Sequence, residues 1–452
     1  MTLVGNRLLN PWNYGAGLPQ PPLRKARQVM TPAEPFFMGV RGYTLGMKLS
    51  VFTPTHLPDH LSEAYNSLLR QDYTDWEWII VPNGSKAFVP DTIRADSRVK
   101  VVSGGKRLYN IGALKRLACD NATGYGFIEL DHDDLLFPGN SLGSIASAFK
   151  RGGGFVFSDV AVFNYVDDKK YGKFKYAESH GWSNYSVSVY GRKFVATRSF
   201  DVSPRSLCEI YYAPDHVRCW SREAYYAAGG HNRELSVADD QELMVKTYLT
   251  GAAFEHTGGC HYLYRMYPQN TVKSRNVRIQ ELAKIYKEKY TEDLIREWSS
   301  RGSHPTLNIK ELQQEGWKWE RDLRRGFGDE KYGIIEAHDF LQWLDGNQVV
   351  EFMNAAYDAL VPGGYVMVSV PDARHEIGYA DPAYKTYYST LSMLPYTYAN
   401  YAKSNGNVTC RFQQVHMDEE YPSEWHEKHE YKYLRFHLCA LKGQRQPGEC
   451  HI

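Results

Sequence analysis

From residue 48 onward, short apolar segments alternate with amphipathic helical segments, and this alternation most limits the folds open to the chain. The apolar segments are rich in Val, Ile and aromatic residues, whereas the segments between them repeat apolar residues at helical spacing. Strands are predicted at residues 49–54, 76–81, 99–102, 127–130 and 155–159, and helices at 61–69, 110–121 and 142–149. This order predicts an α/β protein with a mostly parallel, doubly wound sheet.

A cluster of carboxylates follows the fourth predicted strand, at Asp131, Asp133 and Asp134. Three like charges so close together are unfavourable unless a cation lies among them. Asp131 and Asp133 are two positions apart, so both can turn to one side and offer oxygen ligands to Mg²⁺ or Mn²⁺. Taken alone, the motif is equally typical of a solvated acidic turn.

Two further polar residues favour a ligand site over a solvated turn. Thr55 and Asn83 also lie just beyond predicted strands. Ligands of doubly wound sheets bind beyond the carboxyl ends of the strands, so these residues and Asp131 are expected to face one crevice.

The next segments have weaker patterns. Residues 160–215 are rich in Tyr, Lys, Ser and Gly and are interpreted as a long excursion covering the crevice. A helix is predicted from Ser221 to the stop at Gly229 and Gly230. Asp239 and Asp240 open another helix, where a carboxylate can also serve only to cap the helix dipole.

Composition excludes several classes of protein. The chain has 53 basic and 52 acidic residues, so its net charge of +1 does not call for nucleic acid or an anionic membrane as partner. Seven cysteines without a Cys-x-x-Cys pair argue against a disulfide framework or structural zinc, and favour the cytoplasm. No apolar run approaches 18 residues and no signal peptide is evident, so no membrane span is expected.

The ordered motifs of residues 47–275 resemble a family-2 glycosyltransferase of the GT-A fold. The resemblance rests on residues 50–55, 68–73, 79–85, 110–112, 130–134, 229–240 and 264–270. It implies that Asp131 and Asp133 hold Mn or Mg on the diphosphate of a nucleotide-sugar donor. It also implies that Asp240 is the general base of an inverting transfer to an acceptor hydroxyl.

Other roles follow from the same resemblance. Thr55, Asn83 and Asn110 would contact the donor, and Arg265 and Lys115 would neutralise the departing diphosphate. The family usually has Asp where this chain has Asn83; an amide oxygen can still accept a hydrogen bond from the base, and a UDP-sugar is favoured. His256 and His261 are weaker candidates for a further metal ligand.

The sequence leaves the acceptor open. The Gln-x-x-Arg-Trp segment of processive members is absent, so a single transfer is expected, with a glycan or other surface polymer as the favoured acceptor. Two alternatives are a glycosyltransferase acting on modified bases in DNA and a non-catalytic nucleotide-sugar-binding scaffold.

Residues 306–452 form a second pattern, which resembles the later half of a class I methyltransferase. A strand at 332–337, a helix over 349–360 and a strand at 365–370 carry the resemblance. The glycine-rich turn that would hold S-adenosylmethionine is missing, so this cofactor is not expected and the smaller domain is predicted to be an incomplete Rossmann-like relative used for packing, dimerisation or acceptor binding. Residues 276–305 are predicted to be a helical linker and residues 1–46 an irregular arm. A homodimer is consistent with this organisation.

Overall fold

The first half of the chain builds one mixed β-sheet with helices packed against it. The computed structural model describes residues 46–104, 110–164, 182–189, 191–209, 214–266, 274–402 and 406–443. Contacts divide the chain after Met47, and all elements below belong to the unit that begins at Lys48. The arm predicted for residues 1–46 lies outside the described residues, apart from Gly46.

The strands of this first sheet follow the predicted pattern closely at its start. They are β1 (Leu49–Thr55), β2 (Trp76–Pro82), β3 (Val99–Val101), β4 (Gly126–Glu129), β5 (Leu135–Leu136), β6 (Phe155–Asn164), β7 (Asn184–Val189), β8 (Arg192–Thr197), β9 (Arg218–Ser221) and β10 (Phe254–Met266). Their spatial order is β3-β2-β1-β4-β9-β6-β10-β5, and β7 joins through β8 to β6.

The expectation of a mostly parallel sheet is correct only for part of it. Strands β1 to β4 are parallel, as are β6 and β10. Strand β9 runs antiparallel to both β4 and β6, and β5 runs antiparallel to β10. β9 escaped prediction because its four residues begin with a charged arginine and end with a helix cap, although all four are buried.

The helices of this half bury apolar faces on the sheet. They are α1 (Leu61–Leu69), α2 (Asp91–Arg94), α3 (Ile111–Asp120), α4 (Ser141–Lys150), α5 (Pro204–Glu209), α6 (Arg222–Ala227) and α7 (Asp239–Leu249). On α1 the buried residues Leu61, Ala64 and Leu68 recur at the spacing of one helical face. The predicted excursion over 160–215 instead extends β6 and adds β7, β8 and α5 within the described residues.

The second half forms a smaller sheet. Its strands are β11 (Thr306–Asn308), β12 (Tyr332–His338), β13 (Leu360–Pro371), β14 (Phe412–Glu420) and β15 (Tyr433–Ala440), in the order β11-β12-β13-β15-β14. Strands β11 to β13 are parallel, and β15 is antiparallel to both of its neighbours. The strands and helix predicted here are present, while the likeness to a methyltransferase stays a prediction.

A long helix, α8 (Asn276–Arg301), joins the two sheets. Its buried residues share one apolar cluster with Val245 of α7 and with Met367 and Val415 of the second sheet. The domain boundaries at 275/276 and 305/306 stay predictions, but the segment between them is a core element as well as a connection.

The remaining helices are short except for one. They are α9 (Ile309–Gln314), α10 (Trp319–Asp322), α11 (Gly346–Ala359), α12 (Leu394–Thr397), α13 (Ala399–Ala402) and α14 (Glu424–Lys428). Within the described part of the chain, no helix combines the length and apolar character needed to cross a membrane.

Candidate active site

Two adjacent carboxylates, Asp239 and Asp240, begin α7. Ala238, just before them, has a left-handed backbone (φ 54°, ψ 24°), a conformation that costs about 1–2 kcal/mol for a residue with a Cβ. Such outliers concentrate at functional sites, where the surrounding structure holds them. Asp239 is buried here, whereas the Asp240 side chain keeps 23% of its exposure.

Asp239 faces a buried lysine. The Lys115 Nζ lies 2.6 Å from Glu129 Oε1 and 3.2 Å from Asp239 Oδ2. Burial opposes the charge of Lys115, but the two carboxylates raise the pKa of Lys115 well above its ordinary value. Burial raises the pKa of Asp239. Lys115 therefore anchors the start of α7 to the end of β4, and its predicted contact with a donor stays a prediction.

Asp240 is held by an arginine from β9. The Arg218 Nη1 donates to Asp240 Oδ2, and the Gln241 amide donates to Asp240 Oδ1 over 2.8 Å. Despite its burial, the pKa of Asp240 is lowered, chiefly by Arg218 and then by Lys115. Asp240 is accordingly an ionised carboxylate with each oxygen bonded to a donor, near enough to solvent to meet a substrate.

A histidine links this pair to the acidic turn. The His216 Nε2 lies 3.4 Å from Arg218 Nη1 and 3.9 Å from Asp131 Oδ2. Its other ring nitrogen, Nδ1, is 2.9 Å from Asp215 Oδ1, and the ring stacks on Tyr262. Asp131 and Asp240, 109 positions apart in the sequence, thus belong to one connected network.

Asp131 lies at the open side of this network. Its side chain keeps 35% of its exposure, and its amide donates to the Tyr262 hydroxyl over 3.0 Å. Burial, reinforced by the charge of Glu129, raises the pKa of Asp131. A cation beside Asp131 would relieve this repulsion.

The next two carboxylates of the turn have different surroundings. Asp133 is buried with its side chain 3.7 Å from His132, and Asp134 Oδ1 accepts from the Arg265 amide over 2.6 Å. The buried Arg265 donates through Nε to the Asp133 carbonyl over 2.5 Å and through Nη2 to Glu63 over 3.0 Å. These bonds fix the acidic turn on β10 and α1, and the predicted phosphate contact of Arg265 stays a prediction.

Thr55 and Asn83 lie together at the ends of neighbouring strands. The Asn83 amide donates to the Thr55 carbonyl over 2.7 Å, while the Thr55 hydroxyl donates to the Leu57 carbonyl over 2.6 Å. The strand-end placement inferred from the sequence therefore holds for both residues.

Asn110 and Gly112 support the loop that leads to α7. The Asn110 amide group donates to the carbonyls of Arg233 and Glu234, each over 3.3 Å. A Cβ on Gly112 would lie 2.0 Å from the Asn232 carbonyl oxygen, so only glycine permits this approach. These contacts give Asn110 a structural task, and its predicted role toward the donor stays a prediction.

A metal could be held where three of these groups meet. A carboxylate oxygen each of Glu129 and Asp131 and a ring nitrogen of His216 lie within 4.8 Å of one another. Glu129 Oε2 is buried and has no hydrogen-bond partner among the described residues. Among the described residues, Asp133 does not belong to this group of possible metal ligands. His256 and His261 are bonded elsewhere, to Asp159 and to Ser141.

Sequence reasoning missed Arg218 and His216. Arg218 is the first residue of strand β9, which was not predicted, and His216 lies two residues before that strand. Arginine at the start of a fully buried strand is a signal in itself, because a buried guanidinium requires carboxylate partners.

Comparison with known families covers the part of this site that carries Glu129 and Asp131, but not His216, Arg218 or Asp240. The model of glycosyl transferase family 2 matches residues 50–202. This match supports glycosyltransferase activity and, with the mixed α/β sheet, the GT-A fold inferred from the sequence. No curated protein matches the chain.

Solved structures that resemble the chain are distant. S. aureus TarS is 17% identical, with a TM-score of 0.38 over 53% of this chain and 39% of that one. TarS 1-349 with UDP-GlcNAc is 14% identical, with a TM-score of 0.40 over 69% and 80% of the two chains. The mannosyltransferase PcManGT of Pyrobaculum calidifontis, with GDP-Man and Mn²⁺, is 16% identical, with a TM-score of 0.33 over 54% and 62%.

Proposed function

We propose that the protein is an inverting, metal-dependent glycosyltransferase that moves one sugar from a nucleotide-diphosphate donor to an acceptor hydroxyl. The observation that carries the proposal is that Asp131 and Asp240 are the partly exposed ends of one network, joined through His216 and Arg218. Transfer from such a donor needs a cation site for the diphosphate and a base for the acceptor side by side.

The donor lies at the ends of β1, β2 and β4. Asp131 and Asp133 would hold Mn²⁺ or Mg²⁺, which when bound would offset the negative charge that grows on the leaving diphosphate. Thr55 and Asn83 line the nucleotide side, and a UDP-sugar is the favoured donor. Tyr262, whose hydroxyl accepts from the Asp131 amide, keeps the acidic turn in place.

Asp240 acts on the acceptor. Its carboxylate takes the proton of the acceptor hydroxyl as the oxygen attacks the anomeric carbon, and the bond from that carbon to the diphosphate oxygen breaks. The nucleoside diphosphate leaves with the electron pair, and attack from the opposite face inverts the anomeric centre. Arg218 keeps Asp240 ionised and oriented before the acceptor arrives.

A glycan or other surface polymer is the favoured acceptor. The second sheet packs on α8 and adds bulk beside the transferase domain, which suits a role in packing or acceptor binding.

Release of nucleoside diphosphate from UDP-sugars, with and without Mn²⁺, tests the proposal. We expect hydrolysis that stops with a chelator, and a loss of about 10²–10⁴-fold in kcat for Asp240→Asn. Asp91→Asn, an exposed first-turn carboxylate of α2, is the matched control and should leave turnover unchanged. Full turnover and metal dependence in Asp131→Ala would contradict the proposal.

A further inference from the structure

The carboxylates around β4 outnumber the cations that face them. Five of them, Glu129, Asp131, Asp215, Asp239 and Asp240, share their surroundings with two cations, Lys115 and Arg218. Buried ionised groups require compensation by charge or hydrogen bonds. A divalent cation inside this network would compensate the carboxylates that Lys115 and Arg218 leave unpaired. It would do so in addition to neutralising the diphosphate of a donor.

His216 is prepared to bind such a cation. Its Nδ1 faces the Asp215 carboxylate at 2.9 Å, the arrangement that favours the proton on Nδ1. The Nε2 lone pair then lies between Arg218 Nη1 at 3.4 Å and Asp131 Oδ2 at 3.9 Å. A carboxylate behind the ring is the arrangement that orients most metal-bound histidines. Stacking on Tyr262 and Tyr264 fixes the plane of the ring.

Glu129 supplies the second group. One of its oxygens is bonded to Lys115, and the other, Oε2, is buried without a hydrogen-bond partner among the residues that the structure describes. An unpartnered buried carboxylate oxygen is costly unless a ligand meets it. This orphaned oxygen is an observation independent of the charge excess.

The spacing suits a single ion. Two ligand atoms on one Mn²⁺ or Mg²⁺ lie up to about 4.2 Å apart, because each bond is about 2.1 Å. His216 Nε2 and Asp131 Oδ2 are 3.9 Å apart, and the three groups fall within 4.8 Å. A side-chain shift of less than about 1 Å closes the site around the ion.

We infer that Glu129 and His216 join Asp131 as ligands of the divalent cation, and that the imidazole makes the site select Mn²⁺ over Mg²⁺. Imidazole is a ligand of transition metals, whereas Mg²⁺ takes oxygen ligands. The inference deepens the proposed function, on which it rests for the role of the ion.

Binding of Mn²⁺ alone, followed by electron paramagnetic resonance, tests the assignment. His216→Gln and Glu129→Gln are each expected to weaken Mn²⁺ binding about 10-fold or more. His256→Gln is the matched control, because His256 is also held by a buried carboxylate, that of Asp159 at 2.8 Å, but lies outside the group. Competition with Mg²⁺ should show that His216→Gln reduces the preference for Mn²⁺.

A second measurement uses the unaltered protein, so it does not depend on whether a variant folds. Pulsed electron paramagnetic resonance of the Mn²⁺-loaded protein should detect a directly bound histidine nitrogen, identified by ¹⁵N-histidine labelling and retained in His256→Gln. Unchanged Mn²⁺ affinity in folded His216→Gln, or no nitrogen coupling, overturns the inference. Donor hydrolysis is measured separately. If the Mn²⁺–nitrogen coupling is present but no nucleotide-sugar is hydrolysed, only the proposed function is contradicted. If a nucleotide-sugar is hydrolysed but the coupling is absent, only the assignment of histidine as a metal ligand is contradicted.

Discussion

The two sheets of the molecule both contain buried charge, but they stabilise it differently. On the second sheet, Glu336 accepts from Arg296 and Asn308, and Arg435 donates to Asp418 and Glu292. On the first sheet, Glu129 Oε2 and Asp134 Oδ2 have no hydrogen-bond donor among the described residues. The carboxylates of the second network therefore have their donors without a ligand, whereas the first network leaves carboxylate oxygens that a ligand could meet.

The kind of cation explains part of the difference. A guanidinium has five donors in a fixed fork, so Arg296 and Arg435 can serve four carboxylates, those of Glu292, Glu336, Asp418 and Glu420. On the first sheet the central cation is Lys115, a compact charge between Glu129 and Asp239. The unbonded polar atoms of the second sheet belong to neutral groups such as Gln342 and His437, which are less costly to bury than carboxylates.

The largest expected effect comes from breaking the first network at Arg218. Arg218→Gln should lower the free energy of unfolding by about 3 kcal/mol, because it leaves buried carboxylates without their cation. Urea unfolding measures this loss. Arg218→Lys, which keeps the charge, should recover a substantial part of it.

The same variants test the pH dependence. Burial raises the pKa of Asp240, but Arg218 and then Lys115 lower it by more, so the net shift is downward. Because the folded pKa is depressed, Asp240 stays ionised above it and activity is lost only as pH falls through it. Removing Arg218 raises that pKa, so the acidic limb of kcat/KM should move to higher pH in Arg218→Gln; an unmoved limb would argue against Asp240 as the base.

A smaller effect is expected from the second network. Arg435→Met should lower the free energy of unfolding by about 2 kcal/mol, since the side chain is 19% exposed and two of its carboxylate partners keep other donors, Glu292 from Arg296 and Glu420 from Ser369. Mn²⁺ affinity should not change. A large loss of Mn²⁺ binding in this variant would show that the two networks are not independent.

The smallest effect concerns a backbone feature that both regions share. Ala238 and Asp339 each have a left-handed backbone, with φ of 54° and 53°. Ala238→Gly should raise the free energy of unfolding by about 0.5–1 kcal/mol, because glycine adopts this conformation without strain. Asp339→Gly should show no gain, since it loses the hydrogen bonds from Gln342 and Tyr433. Thermal unfolding of the two variants compares them directly.

Much of the first sheet was predictable because strand and helix periodicities are local. The strands that end at Thr55 or just before Asn83 and Asp131, and the helix that begins at Asp239, lie close to where the sequence predicts them. The second sheet's β12 and β13 were likewise found from short apolar runs. β9 was not, because four residues beginning with Arg218 show no alternation, and their burial depends on β4 and β6 on either side.

The sequence by itself determined the α/β class, the strand-end position of the acidic turn and the two carboxylates at the start of α7, because each depends on residues close together in the chain. Only the tertiary structure decided which charges meet. Insertion of β9 between two strands brings Arg218 to Asp240 and His216 to Asp131, pairs separated by 22 and 85 positions in the sequence. Partners that distant are selected by packing and charge compensation in three dimensions, which no local pattern encodes.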